Sequence, residues 1–145
     1  MDKMIKIKVI NYLLKHKYQE LCRFIKLFPQ TKVDSFMSIH GLSIFGNALN
    51  SLEALDILIK TVSFSILQKL LSDQNYNLMK IFLICEKARL NGESKENQQK
   101  RIKIYQILLI IDRDGLENFI KNKSEENFLP KELFEDFMCA VNLNN

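Results

Sequence analysis

Gly41-Leu42-Ser43-Ile44-Phe45-Gly46-Asn47-Ala48-Leu49-Asn50-Ser51-Leu52-Glu53-Ala54-Leu55-Asp56-Ile57-Leu58-Ile59-Lys60-Thr61-Val62 is the stretch whose reading decides the fold. Ile44, Phe45, Ala48 and Leu49 recur at helical spacing and share one face of a short helix. Asn50 can cap a second helix, with Glu53 three residues on as the return half of a capping box. In that second helix Leu55, Ile57, Leu58, Ile59 and Val62 form a broad apolar stripe. Two short amphipathic helices with a tight joint are expected.

Helical periodicity continues on both sides. Upstream, Ile5, Val9, Ile10, Leu13 and Leu14 share a face over Asp2 to about His16. Ile5 to Val9 also alternates with period two, as a strand would, but Asn11-Tyr12-Leu13-Leu14 continues the helical face. Tyr18 to Phe28 reads as a second helix that Pro29 ends, and Gln30 to His40 as a connector. Downstream, Ser63 to Leu71 is a short helix and Asp73-Gln74-Asn75 a turn. Asn77 to Leu90 follows, with Leu78, Ile81, Phe82, Ile84 and Cys85 inward. Asn91 to Lys100 lacks apolar periodicity and is expected to be an exposed, mobile loop leading into the next helix. Arg101 to Ile111 is apolar nearly all round, which predicts a central position. Pro130 suits the first turn of a last helix, Lys131 to Val141. There Leu133, Phe134, Phe137, Met138 and Val141 are expected inward, with Glu132, Glu135 and Asp136 outward.

A chain of 145 residues is long enough for a real core in one domain. Its hydrophobic share of 47% argues against disorder, and only 4 Gly and 2 Pro disfavour a turn-rich β sandwich. Cys22, Cys85 and Cys139 are scattered and odd in number, which suits reduced core residues in a reducing, intracellular compartment. Lys6, Lys8 and Asn11 interrupt any signal-peptide h-region. The longest nearly apolar run, Ile104 to Ile111, is far short of the ~20 residues that span a bilayer. The net charge of +4 is uneven. Residues 1–33 hold eight basic against two acidic side chains, and residues 112–145 hold four basic against eight acidic.

Gly41 to Ala48 resembles the ankyrin-repeat signature G-x-T-P-L-H-x-A. Gly41, Phe45 and Ala48 fit; Ser43 stands for Thr, and Ile44 and Gly46 replace Pro and His. Thr31-Lys32-Val33-Asp34 looks like the end of a preceding repeat, and Ile57-Leu58-Ile59 like the outer-helix leucines. Lys80 to Cys85 can be laid over T-P-L-H-x-A, with Lys80 and Leu83 poor matches. Asp112-Arg113-Asp114-Gly115-Leu116-Glu117-Asn118-Phe119 is a partial echo of D-x-x-G-x-T-P-L. Phe45, Phe82 and Phe119 are equally spaced, at an interval close to the ankyrin period of about 33 residues. The resemblance implies an all-α fold of antiparallel helix pairs stacked as a short, irregular ankyrin-like solenoid. Its parts would be an N-terminal helix pair and connector (1–40), central repeats (41–111) and a C-terminal repeat or cap (112–145). Carried over by position, it implies a partner-binding surface at Ile39, His40, Leu42, Asn50 and Ser51, extended by Met79, Lys87, Arg113, Asp114 and Leu116.

The sequence holds no P-loop, G-x-G-x-x-G, H-E-x-x-H, C-x-x-C or G-x-S-x-G motif. No catalytic group, metal set or cofactor is therefore expected. His16 and His40 read as surface or turn histidines, because neither has a carboxylate or cysteine at ligand spacing. Asp112 and Asp114 read as turn residues. The resulting expectation is a non-catalytic module that binds a partner protein. The alternative is a small helical domain that binds nucleic acid or an acidic partner through Lys15, Lys17, Arg23 and the other basic side chains of its N-terminal helices.

Overall fold

Pro29 starts a helix, while the one before it already ends at Ile25, short of the expected Phe28, in a turn over residues 26–28. The Pro29 φ of −66° and ψ of 156° are cap geometry, and the helix that follows runs unbroken to Gly46. The computed structural model describes residues 2–144. Among the described residues there are eight helices and no strand, so the fold is all-α: α1 (Asp2–Leu14), α2 (Tyr18–Ile25), α3 (Gln30–Gly46), α4 (Leu52–Thr61), α5 (Phe64–Arg89), α6 (Lys95–Ile111), α7 (Arg113–Glu125) and α8 (Lys131–Leu143).

The helices pack in two rows. In one, α1 lies on α3 and α3 on α5; in the other, α2 lies on α4, α4 on α6 and α6 on α8. Neighbours in sequence join the rows, as α1 with α2, α3 with α4 and α5 with α6. The apolar helix α6 touches α4, α5, α7 and α8, the central position its composition predicts. The buried apolar residues form one cluster, from Val9 to Val141. No helix among the described residues is long and apolar enough to cross a membrane.

Gln30 to His40 is not a connector but the first two-thirds of α3. Polar residues dominate it, yet Phe36 and Met37 continue backward the buried face of Gly41, Ile44 and Phe45. Gly41 consequently sits inside a helix that begins well before it, and its role is close approach. A Cβ there would stand 2.5 Å from Leu70 Cδ1, so the missing side chain lets α3 close on α5. The cap of α4 is Ser51 rather than Asn50: its hydroxyl accepts from the Ala54 N–H at 3.2 Å.

The turn expected at Asp73-Gln74-Asn75 is a sharp bend inside α5. Asp73 is extended, and Gln74, Asn75 and Tyr76 are left-handed, with φ of 52°, 56° and 62°. Each such residue costs about 1–2 kcal/mol, so something must hold the bend. The Tyr76 hydroxyl donates to Asp112 Oδ2 across the α6–α7 junction, and the ring lies 5.6 Å from that of Phe119. The other oxygen of Asp112 caps α7 through the Gly115 N–H at 3.2 Å. A Cβ on Gly115 would collide with the Tyr76 hydroxyl, which explains the glycine at this position. Burial, with the hydrogen bond to and charge of Asp112, raises the Tyr76 hydroxyl to a pKa of about 12.

Helix α5 also turns a different face inward from the one its apolar residues suggest. Met79, Phe82, Leu83 and Glu86 are buried, while Ile81 and Ile84 are exposed and Cys85 only half-buried. In α8 Asp136 is buried and Met138 exposed, reversing the expectation for both. Cys139 is exposed beside Met138, because α8 packs through Leu133, Phe137, Ala140 and Val141. Lys95 to Lys100, expected in a loop, forms the first turns of α6, capped by Ser94 Oγ accepting from the Asn97 N–H at 3.2 Å.

Two predictions follow from these joints. Gly41→Val should lower stability by about 1–3 kcal/mol in chemical denaturation, because α3 cannot move off Leu70 without strain. An unchanged midpoint would contradict the close α3–α5 contact. Asp34 accepts from the Ser63 N–H at 3.1 Å, from Gln30 Nε2 at 2.9 Å and from the Ser63 hydroxyl. Partial burial pushes its pKa up, but the hydrogen bonds from Ser63 and Gln30 outweigh this and hold it below the ordinary 3.8. A depressed carboxylate contributes stability above its unfolded pKa and loses it as pH falls through the lower folded value. Asp34→Asn should therefore destabilise the protein at pH 7, with the difference from the native chain narrowing as pH falls below about 4. A difference constant across that range in pH-dependent melting would refute the assignment.

Candidate functional site

The densest polar chemistry in the fold lies where α5, α6 and α8 meet. Arg101, at the head of the inward face of α6, is completely buried. Its Nε donates to Glu86 Oε1 at 2.8 Å, its Nη1 to Asp136 Oδ2 at 2.7 Å, and its Nη2 to Glu93. Glu86 comes from α5, Asp136 from α8 and Glu93 from the α5–α6 connector. Arg89 donates from Nε to the other oxygen of Glu86 at 2.6 Å and reaches the backbone carbonyls of Leu49 and Asn50. Gln98 donates to Asp136 Oδ1 at 2.9 Å. Burial opposes the charge on Arg101, but hydrogen bonds and charge from Glu93, Glu86 and Asp136 more than offset it and hold the group protonated beyond its usual range.

This cluster is closed to chemistry. All three guanidinium nitrogens of Arg101 are engaged, and each carboxylate already accepts from a cation. A permanently protonated arginine moves no proton. Tyr105, one turn on from Arg101, is buried between Phe82 and Phe137, its ring edge-on to both. Its hydroxyl is the one buried side-chain polar atom without a partner among the described residues, and burial drives its pKa upward. The cavity under the α5 bend, about 50 Å³ and bordered by Phe45, Leu71, Leu78, Met79 and Leu108, has an apolar lining and offers no group to orient a polar ligand.

The sequence-predicted surface residues fall into three groups. Ile39 is 69% exposed on α3, and Asn50, Lys87 and Asp114 are also exposed. His40, Leu42, Ser51 and Arg113 are half-buried. The His40 ring lies tilted against that of Phe36 with ring centres 4.9 Å apart and approaches Asp2 at 4.0 Å, a carboxylate that sequence spacing did not reveal. Leu42 packs along the edge of the core. The Ser51 hydroxyl bonds Tyr18 at 2.9 Å, and Tyr18 in turn bonds the exposed His16 at 2.7 Å. Arg113 pairs with Glu117 at 3.0 Å. Met79 and Leu116 are core residues and offer nothing to a partner. Asn50 and Ser51 adjoin through the α3–α4 joint, where Arg89 reaches the carbonyl of Asn50. Sequence reasoning missed the Arg101 cluster because it assigns charged residues to the outside. The available signal was an arginine at helical spacing with Ile104, Tyr105 and Leu108.

No protein-family model matches the chain, and no curated protein and no solved structure is significantly similar to it.

Removing Arg101 leaves three carboxylates around an empty place. Arg101→Leu should cost about 3–5 kcal/mol, and Arg101→Lys should recover little because an ammonium cannot bridge three fixed acceptors. Urea denaturation decides this. A cost under about 1 kcal/mol for Arg101→Leu would mean that the cluster is not desolvated.

Proposed function

We propose that this chain is a non-catalytic helical-repeat module that acts by binding a partner protein through the outer face of α3 and the α3–α4 joint. The observation that carries this reading is the composition of the α3 face. Ser35, Ile39, Ser43 and Gly46 are exposed along one side of the helix, with the edge of Leu42 beside them. At about 100° per residue these positions form one stripe. A large apolar side chain stands there among small ones, so a partner helix could approach closely and cover Ile39. Asn50 lies at the end of the same strip of sequence, with its side chain exposed.

The helix order supports a repeat reading. Rows α1–α3–α5 and α2–α4–α6–α8 are joined by sequential pairs, the contact pattern of stacked helix pairs in which each unit buries its apolar face on its neighbours. In this reading the resemblance of Gly41 to Ala48 to an ankyrin repeat reflects shared packing needs, and the array is a divergent, ankyrin-like one. The binding chemistry is apolar burial at Ile39 with hydrogen bonding at Asn50, and no substrate is turned over.

The test is a capture experiment from the native host with the full chain. Ile39→Arg combined with Asn50→Arg should abolish recovery of the partner, with a melting temperature within a few degrees of the native chain, since both positions are exposed. Undiminished capture by the folded double variant would refute the α3 surface.

A further inference from the structure

Helix α1 is more apolar than its packing requires. Its inward side is supplied by Val9 and Leu13, which are buried, with Ile5 and Ile10 packed against them. A second apolar set faces solvent: Met4 is 73% exposed, Ile7 52% and Leu14 60%. At about 100° per residue Leu14, Ile7, Asn11 and Met4 fall within an arc of about 80°, opposite Val9. Exposed lysines border the arc, Lys3 on one side and Lys8 and Lys15 on the other. Lys8 also lies 4.9 Å over the ring of Phe24, so this rim follows the groove between α1 and α2. Asp2, the one acidic residue of α1, is turned toward α3, where it meets Lys32 at 3.3 Å and His40 at 4.0 Å. The arc therefore carries positive charge uncompensated within its own helix.

We infer that the outer face of α1 docks on an anionic lipid surface, with Met4, Ile7 and Leu14 entering the boundary between headgroups and acyl chains while Lys3, Lys8 and Lys15 pair with lipid phosphates and carboxylates. An apolar stripe rimmed by lysines is the arrangement that lies flat in a membrane interface. Lysine stems cover apolar surface while their ammonium groups reach the charged headgroups. The apolar side chains on both sides of Asn11 select lipid over nucleic acid: a phosphodiester backbone would satisfy the lysines but leave Ile7 and Leu14 without a partner. This surface is separate from the α3 face and does not depend on that reading.

The chain contains no tryptophan, so one introduced residue is a clean reporter. The experiment titrates full-length Leu14→Trp with phosphatidylcholine vesicles, with and without phosphatidylserine, and follows emission wavelength and co-sedimentation. Phe64→Trp, at a residue 57% exposed on α5, is the control. Emission of Leu14→Trp should shift to the blue with phosphatidylserine vesicles alone, and that of Phe64→Trp should not move. Binding should weaken as salt rises. Replacing Lys3, Lys8 and Lys15 by Gln in the native chain should reduce partitioning on the order of 100-fold. Ile7→Ser with Leu14→Ser should reduce it at least about tenfold while leaving the helical circular dichroism intact. If that pair fails to fold, the tryptophan reporter still decides the matter. Absence of partitioning to anionic vesicles at low salt would overturn the proposal. So would partitioning without an emission shift at position 14, which would mean surface attraction alone. Retention of nucleic acid through the three lysines, indifferent to Ile7 and Leu14 and without vesicle binding, would also overturn it and assign the charge to nucleic acid.

Discussion

A single buried guanidinium sets the arrangement of the C-terminal half. Arg101 takes one acceptor each from α5, the α5–α6 connector and α8, and all four side chains are nearly or wholly removed from water. Such a cluster adds little net stability over an apolar one of equal volume, because the cost of desolvating the charges consumes most of their attraction. Its effect is on register. Rotating α5 to bury Ile84 in place of Glu86, or α8 to bury Met138 in place of Asp136, would strand a charge inside the core. The ion pairs therefore choose among helix faces that hydrophobicity alone leaves nearly equivalent. Arg89 carries the same constraint to the N-terminal half through the carbonyls of Leu49 and Asn50.

The bend in α5 is the second constraint, and of a different kind. Three consecutive left-handed residues without a glycine are an unfavourable local conformation. The hydroxyl of Tyr76, itself in the bend, is anchored to Asp112 at the α6–α7 junction, and Asp112 is fixed in turn by the Gly115 N–H. The bend lets the first arm pack under Gly41 of α3 and the second carry Glu86 to Arg101. Local strain here is the cost of bringing two halves of the chain onto one core.

What the sequence made legible follows from what hydrophobic periodicity can report. The all-helical class, the centrality of Ile104 to Ile111, the break at Asp73 to Asn75 and the last helix after Pro130 all rest on apolar spacing or on residues with fixed backbone preferences. Gln30 to His40 was unreadable because polar residues surround a two-residue inward contact, Phe36 and Met37, that becomes a pattern only when joined to Ile44 and Phe45. The faces of α5 and α8 were misread for one reason: Glu86 and Asp136 are inward, and each displaces an apolar neighbour outward. Gly41 and Gly115 stood out by position, but their reason, close approach to Leu70 and to Tyr76, exists only in three dimensions. Among the surface residues, Ile39 and Asn50 are where a partner could reach them, whereas Met79 and Leu116 were indistinguishable in the sequence from exposed apolar residues.

The proposed binding surface on α3 lies apart from the buried charge cluster of Glu86, Arg101 and Asp136. Hydrogen–deuterium exchange on the chain with and without its captured partner tests that division most directly. The account predicts new protection over residues 35–46 and at Asn50 and Ser51, with exchange around Glu86, Arg101 and Asp136 unchanged. Changed exchange concentrated at the cluster, with residues 35–46 unaffected, would contradict it.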